Sequence, residues 1–285
     1  MTIKARSISL ELGNKVILKD ISFDVLPGEV VSVIGPNGAG KTSLLNILTG
    51  NIKCTSGNVI YDSKELDKIS IQERAYIRAV MSQFQSVAFD YTVLDIIKMG
   101  WLDLRFDHSK IDLEAFQNQI INECDVDNLL NQTFNTLSGG EQRRVHFART
   151  LLQLGRPDTS EDQNYLLLDE PFSNIDLVHK VKMVNSIKAR ASNGTGVMMI
   201  LHDLNLAYTY SDKLCILKDG QIVAFDDTSK LMSENFLLKF KEKQFEFFIA
   251  RIFFAYGKKQ KENMLMKNLI FKIKIKRVTL KINIS

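Results

Sequence analysis

Apolar and polar positions alternate in "SISLEL" and again in "ISFDVL", and the turn-forming "GNKV" between them predicts a pair of antiparallel strands. Pro27-Gly28-Glu29 breaks the alternation. Beyond it "VVSVIG" is a short, continuous β-branched run, the pattern of a strand buried on both faces. It runs straight into "GPNGAGKT" and then into the helical spacing of "SLLNILTG". "SGNVIYDSKEL" predicts a further hairpin, and "IQERAYIRAVMSQ" a helix leading into a strand. From Thr92 to about Leu130 the apolar spacing is helical. "GGEQRRVHFARTLLQL" predicts a helix, "YLLLDE" a second fully buried strand and "DLVHKVKMVNSIKARA" a helix. "GVMMILHD" predicts a strand, "NLAYTYS" a helix, and "KLCILKDGQIVAFD" a hairpin about Asp219-Gly220. Strands alternating with helices in this way predict an α/β fold. The expected sheet is mixed and mostly parallel, with an antiparallel β part at the N-terminal end and a helical subdomain inserted at about residues 84–150.

Charge divides the chain. Its formal net charge is +4. From Lys239 to Ser285 there are 13 Lys and Arg against 3 Asp and Glu, which leaves 24 against 30 in the rest. An acidic body with a basic tail gives no nucleic-acid footprint, and no nucleic-acid partner is expected. Domain organisation is expected as residues 1–232 for the main domain and 233–285 for a Lys-, Ile- and Phe-rich tail. That tail is read as an edge strand, as a membrane-surface segment, or as the product of a frameshift near residues 238–245; no function is assigned to it. No apolar run reaches the roughly 18–20 residues that cross a bilayer, and "MTIKARSISLELG" lacks the apolar centre of a secretory signal. The expected location is cytoplasmic. Cys54, Cys124 and Cys215 have no metal or redox spacing.

The candidate chemistry lies at two helix starts. "GPNGAGKT" has Gly35, Gly40, Lys41 and Thr42 in the register of a phosphate-binding loop, between a strand and a helix. Gly35, Pro36, Asn37, Gly38, Ala39, Gly40, Lys41, Thr42 and Ser43 are the candidate ATP-binding residues. Backbone N–H groups would meet phosphate oxygens, Lys41 the β/γ phosphates, and the Thr42 hydroxyl Mg²⁺. "YLLLDEP" adds two carboxylates at a strand end, Asp169 to hold Mg²⁺ and Glu170 to act as general base on an attacking water. The second start is "LSGGEQRR", a serine and two glycines opening a helix with arginines one turn in, which is also a design for binding an anion.

With "LSGGEQ" added to the phosphate loop and the Asp-Glu strand end, residues 3–232 resemble the nucleotide-binding subunit of ATP-binding-cassette (ABC) transporters. The resemblance implies ATP and Mg²⁺ as cofactors and a composite site. Ser138, Gly139 and Gly140 would close over the ATP held by a second copy of the chain. It assigns Gln83, in "VMSQFQ", to Mg²⁺ and the attacking water, with Gln85 competing for that role. Asp176 of "SNID" becomes the D-loop aspartate, and His202 of "MILHD" the catalytic histidine at the γ-phosphate. His108, His146 and His179 are given no role. Leu12 stands where the family usually has an aromatic residue to stack on adenine, with Val16 as aliphatic support. Asn174 replaces a small D-loop residue.

A single cassette without a membrane span implies integral-membrane permease subunits as separate chains, with a periplasmic or extracellular substrate-binding protein as an indirect partner. The chain would then sit peripherally on the cytoplasmic face of the inner membrane. The segment from Lys41 to Leu137 is too short for the coiled coil of chromosome-maintenance relatives, and a tandem second cassette is absent. "FDYTVLDIIKMG" and the long "LLQLGRPDTSEDQNYLLLDEP" resemble importers of hemin, with ferric-siderophore and cobalamin importers as alternatives. A cytosolic ATPase of iron–sulfur cluster assembly is the alternative of a different class. If the tail is dispensable, a chain cut after residue 238 keeps its ATP turnover and sedimentation behaviour. An insoluble or inactive product would make the tail part of the fold.

Overall fold

The computed structural model describes residues 2–83, 87–101, 113–154 and 164–231. Among the described residues ten strands run in chain order: β1 Ile3–Leu12, β2 Lys15–Val25, β3 Val30–Ile34, β4 Ser56–Tyr61, β5 Lys64–Glu65, β6 Arg78–Met81, β7 Tyr165–Asp169, β8 Gly196–Ile200, β9 Lys213–Lys218 and β10 Gln221–Asp227. The helices are α1 Lys41–Leu48, α2 Ile71–Ile77, α3 Val93–Lys98, α4 Leu113–Cys124, α5 Gly139–Leu154, α6 Leu177–Ser192, α7 Leu204–Tyr210 and α8 Thr228–Leu231. Among the described residues these follow the expected order. Gln85, His108 and the polar stretch at 155–163 lie outside them, as does the tail.

The first hairpin differs from its expected form. β2 already begins at Lys15, so the turn is only Gly13-Asn14, with Gly13 at φ +59°. Ser7 and Asp20 both have positive φ, and the β1–β2 register shifts around them. The bulge at Ser7 resets the parity of β1, so that Ile3, Ala5, Ile8 and Leu10 all reach the core, and the bulge at Asp20 resets that of β2, so that Leu18 and Ile21 do.

Two sheets result. β2, β1, β4 and β5 form an antiparallel sheet; β10, β9, β3, β8, β7 and β6 form a mixed one. In the second, every neighbouring pair from β9 to β6 is parallel and only β9–β10 is antiparallel. β3, β7 and β8 are buried at every residue, which accounts for their unbroken apolar runs. Val31, Val33, Leu167, Met198 and Ile200 pack toward α1 and the antiparallel sheet. Val30, Leu166, Leu168, Val197 and Met199 pack on the other face, toward α3, α4, α5 and α6. Tyr61 and Tyr165 join the sheets edge-to-face, with centroids 5.5 Å apart. The helices α3 and α4 and most of α5 derive from the segment in which a helical insert was expected.

Candidate nucleotide site

Parallel strands place all their carboxyl ends on one edge. The order β3–β8–β7–β6 therefore presents four loops side by side, spaced about 4.8 Å per strand. After β3 comes the glycine loop; after β8, His202; at the end of β7, Asp169 and then Glu170; after β6, Gln83. A crevice at the carboxyl edge of a parallel sheet is where such folds bind ligands.

The two ends of the glycine loop are closely packed. A Cβ on Gly35 would stand 2.1 Å from the Leu217 carbonyl oxygen. Gly40 has φ +99°, and a Cβ there would meet Leu18 Cδ2 at 2.6 Å. Gly40 caps α1, whose first turn holds no acidic residue. The leading amides of Lys41, Thr42 and Ser43 are of the kind a helix leaves without an intrahelical acceptor. Lys41 folds back to donate to the carbonyls of Gly35 and Pro36, both at 3.0 Å. Burial pushes its ammonium pKa down, against the charges of Glu170 and Asp169.

Asp169 is 1% exposed. Burial raises its carboxyl pKa and the Glu170 charge adds to this, while Thr42, Arg143 and Lys41 pull it back. Its Oδ1 is buried without a hydrogen-bond partner. A carboxylate oxygen in that state, beside a threonine hydroxyl, suits a hard cation that takes oxygen ligands and keeps waters. Among the described residues no group of three or more His, Cys, Asp or Glu could hold a metal without further ligands.

Glu170 has a left-handed backbone, φ +49°, uncommon for a residue with a side chain. Its amide donates to Ile200 O at 3.1 Å. One carboxylate oxygen lies 2.5 Å from His202 Nε2 and the other accepts from Ser173 Oγ at 3.1 Å. The structure thus brings together Lys41, Thr42, Asp169, Glu170 and His202, with Gln83 at the adjoining strand end.

The second helix start is elsewhere. Ser138 caps α5 in a capping box: its hydroxyl and amide both donate to Glu141, at 2.6 and 2.8 Å. Among the described residues no hydrogen bond joins 138–140 to 35–43. Instead, a Cβ on Gly140 would be 2.7 Å from the Asn174 carbonyl oxygen, so the glycine permits close contact with the D-loop segment. Asn174 is itself left-handed at φ +60°, a conformation asparagine tolerates well. The two arginines do not serve an open anion site as the sequence implied. Arg143 bonds backbone carbonyls beneath the sheet edge, and Arg144 those of Cys124 and Asp125.

The family model for ABC transporters matches residues 18–173, more than half of the chain. The chain belongs to the ABC transporter family. A hemin import ATP-binding protein of Pseudoalteromonas translucida is 38% identical over 220 residues, covering 77% of this chain and 84% of the relative. One from Bradyrhizobium diazoefficiens is 38% identical over 222 residues, 78% and 81% of the two chains. A solved ATP-binding subunit of an ABC transporter superposes with a TM-score of 0.74 at 19% identity, over 88% of this chain and 99% of that one. A bacterial ABC transporter cassette solved as a dimer gives 0.68 at 24% identity, over 79% and 98%. At those identities the structural likeness shows the ABC fold alone.

Three residues of this ABC cassette escaped the sequence reading. Arg143 and Ser173 are two; His179 is the third. Its Nδ1 lies 2.5 Å from Asp176 Oδ2, and its Nε2 lies 2.9 Å from Asp125 Oδ2. Asp176 caps α6, and its bonds to the His179 amide and ring lower its pKa to about 2. His146 is buried edge-on against Phe134. Leu12 and Val16 are 53% and 55% exposed near the turn of the first hairpin, open to contact from outside. If Leu12 stands where adenine docks, Leu12→Tyr adds stacking of about 1 kcal/mol and tightens ATP binding about fivefold in a fluorescent-nucleotide titration. Unchanged affinity would separate this hairpin from the adenine.

Proposed function

We infer that the chain is the ATP-hydrolysing subunit of an ABC importer whose substrate is hemin. The observation that carries the reading is the alignment of Lys41, His202, Asp169-Glu170 and Gln83 along four consecutive strand ends. The hemin-import relatives supply the substrate.

ATP is the nucleotide, held by residues 35–43. Lys41 exchanges the carbonyls of Gly35 and Pro36 for phosphate oxygens, which are better partners for an ammonium. Mg²⁺, when bound, neutralises charge on the phosphate oxygens; Thr42, Asp169 and Gln83 are the groups that would hold it. Glu170 takes the proton of the attacking water as general base. His202 and Ser173 grip its two oxygens, which aims the carboxylate and limits its rotation. His202 also faces the γ-phosphate.

Ser138, Gly139 and Gly140 serve the nucleotide of a second copy, and Asp176 stands where the two copies meet. The binding of Ser138 to Glu141, with no hydrogen bond from 138–140 to 35–43 among the described residues, supports that reading. ATP closes the pair and its hydrolysis lets the pair open. Integral-membrane permease subunits form the pore, and a periplasmic or extracellular substrate-binding protein delivers the cargo to them. Among the described residues no helix is long and apolar enough to cross a membrane. Peripheral attachment at the cytoplasmic face of the membrane follows from the transporter role.

Two measurements test the reading. In cells lacking this chain, the wild type restores growth on hemin as the iron source and Glu170→Gln does not. Restoration of growth on a ferric siderophore in place of hemin would move the chain to that substrate. Mixing Ser138→Arg with Lys41→Ala tests the composite site, because a mixed pair contains one whole site. ATPase activity is expected above the mean of the two separate variants. Activity at that mean, with mixed pairs demonstrated, would put each signature in its own chain's site.

A further inference from the structure

The buried arginine on the signature helix sits between the two catalytic loops. Arg143 lies one turn into α5 and is 8% exposed. Its Nη1 donates to the carbonyls of Ser82 at 3.1 Å and Gln83 at 2.6 Å. Its Nη2 donates to the carbonyls of Asp169, at 2.6 Å, and Glu170. A planar guanidinium holds such a fork rigidly, as no lysine could. Other partly buried arginines near the sheet do less: Arg78 bonds Thr49 O, Arg74 the carbonyls of Leu66 and Ile69, and Arg144 those of Cys124 and Asp125. Arg74 and Arg144 each tie one segment, whereas Arg143 ties two, and both carry chemistry.

The carbonyl it grips on Glu170 belongs to a residue at φ +49°. Left-handed backbone at a bulky residue persists only where the surroundings hold it. The Glu170 amide is fixed to β8 through Ile200, and the Glu170 carbonyl is fixed to α5 through Arg143. Three residues earlier on the same helix, Gly140 abuts the Asn174 carbonyl. The start of α5 therefore touches the D-loop, the Glu170 loop and the Gln83 loop within one turn.

We propose that Arg143 is a positioning residue for ATP hydrolysis: it sets the peptide planes from which Gln83 and Glu170 project, so that the aim of both depends on how the signature helix is seated. A helix that receives the partner's nucleotide at its first turn thereby adjusts the catalytic carboxylate of its own chain. This rests on the roles given above to Gln83 and Glu170.

The test compares Arg143→Met, Arg143→Lys and Glu170→Gln in the full chain with Mg²⁺ and ATP. Arg143→Met keeps bulk and loses every donor; its kcat falls about 10- to 100-fold while KM stays within about threefold. Arg143→Lys, which keeps charge but loses the fork, recovers part of kcat. In a Gln83→Ala background, Arg143→Met costs less than in the parent, because the two act through one loop. A kcat within about twofold of the parent for Arg143→Met, with turnover lost in Glu170→Gln, overturns the proposal alone. Loss of ATP affinity and melting temperature in step with kcat in both Arg143 variants also overturns it, in favour of a merely structural arginine. Normal turnover in Glu170→Gln overturns the assignment of Glu170, and the proposal with it.

Discussion

Everything at the site depends on β3, β8, β7 and β6 running parallel, with β3, β7 and β8 buried along their whole length. A strand with both faces in the core has no side chain free for chemistry along its length. A polar side chain along it must be bonded internally, as Ser32 is to Ser211, so groups free for chemistry stand at its ends, and parallel pairing puts those ends together. Asp169 marks the limit of this arrangement. It is the last residue of β7 and still 1% exposed, so its carboxylate is carried partly into the core and its Oδ1 is left unpaired. Burying an unsatisfied carboxylate oxygen is costly unless something charged or hydrogen-bonding completes it. Such a cost is tolerable at a position where a cation is to be drawn in.

Residues whose placement follows from spacing could be located from the sequence. Gly35, Gly40, Lys41 and Thr42 stand at fixed intervals between a β-branched run and a helical one. "YLLLDE" ends a buried run on two acids. Other features depend on direction, and direction is not written in spacing. Arg143 and Arg144 are neighbours in sequence, but consecutive residues on a helix point about 100° apart. One turns under the sheet edge and the other toward α4, and nothing in "EQRRV" distinguishes them. His179 was read as idle because a lone histidine carries no pattern; only folding brings Asp125 within reach of its far nitrogen, 54 residues away. The bulges at Ser7 and Asp20 escaped for a related reason. Alternation predicts strands, but a single extra residue reverses which face is which.

The string "LSGGEQ" supports two physical readings, and the structure forms one of them. Ser-x-x-Glu ahead of an apolar helix is a capping box, and a serine with two glycines at a helix start is an anion site. In the single chain the capping box is formed. The acid draws charge-assisted bonds from Ser138, which hold the Glu141 pKa below its ordinary value.

The two helix starts are therefore built differently. α1 opens with Gly40, no acid in its first turn, and a lysine that donates to two neutral carbonyls. Its leading amides carry no side-chain cap and can take an anion directly. α5 opens with its serine already engaged by a carboxylate, so an incoming phosphate must displace Glu141 from Ser138 and meet its charge at close range. Coulomb repulsion at that distance disfavours weak or misplaced anions, and only a ligand held firmly from another side would compete. A phosphate anchored in another copy's glycine loop meets that condition, and free phosphate in solution does not. The capping box thus gives α5 a reason to wait for a partner that α1, with no acid of its own, does not have.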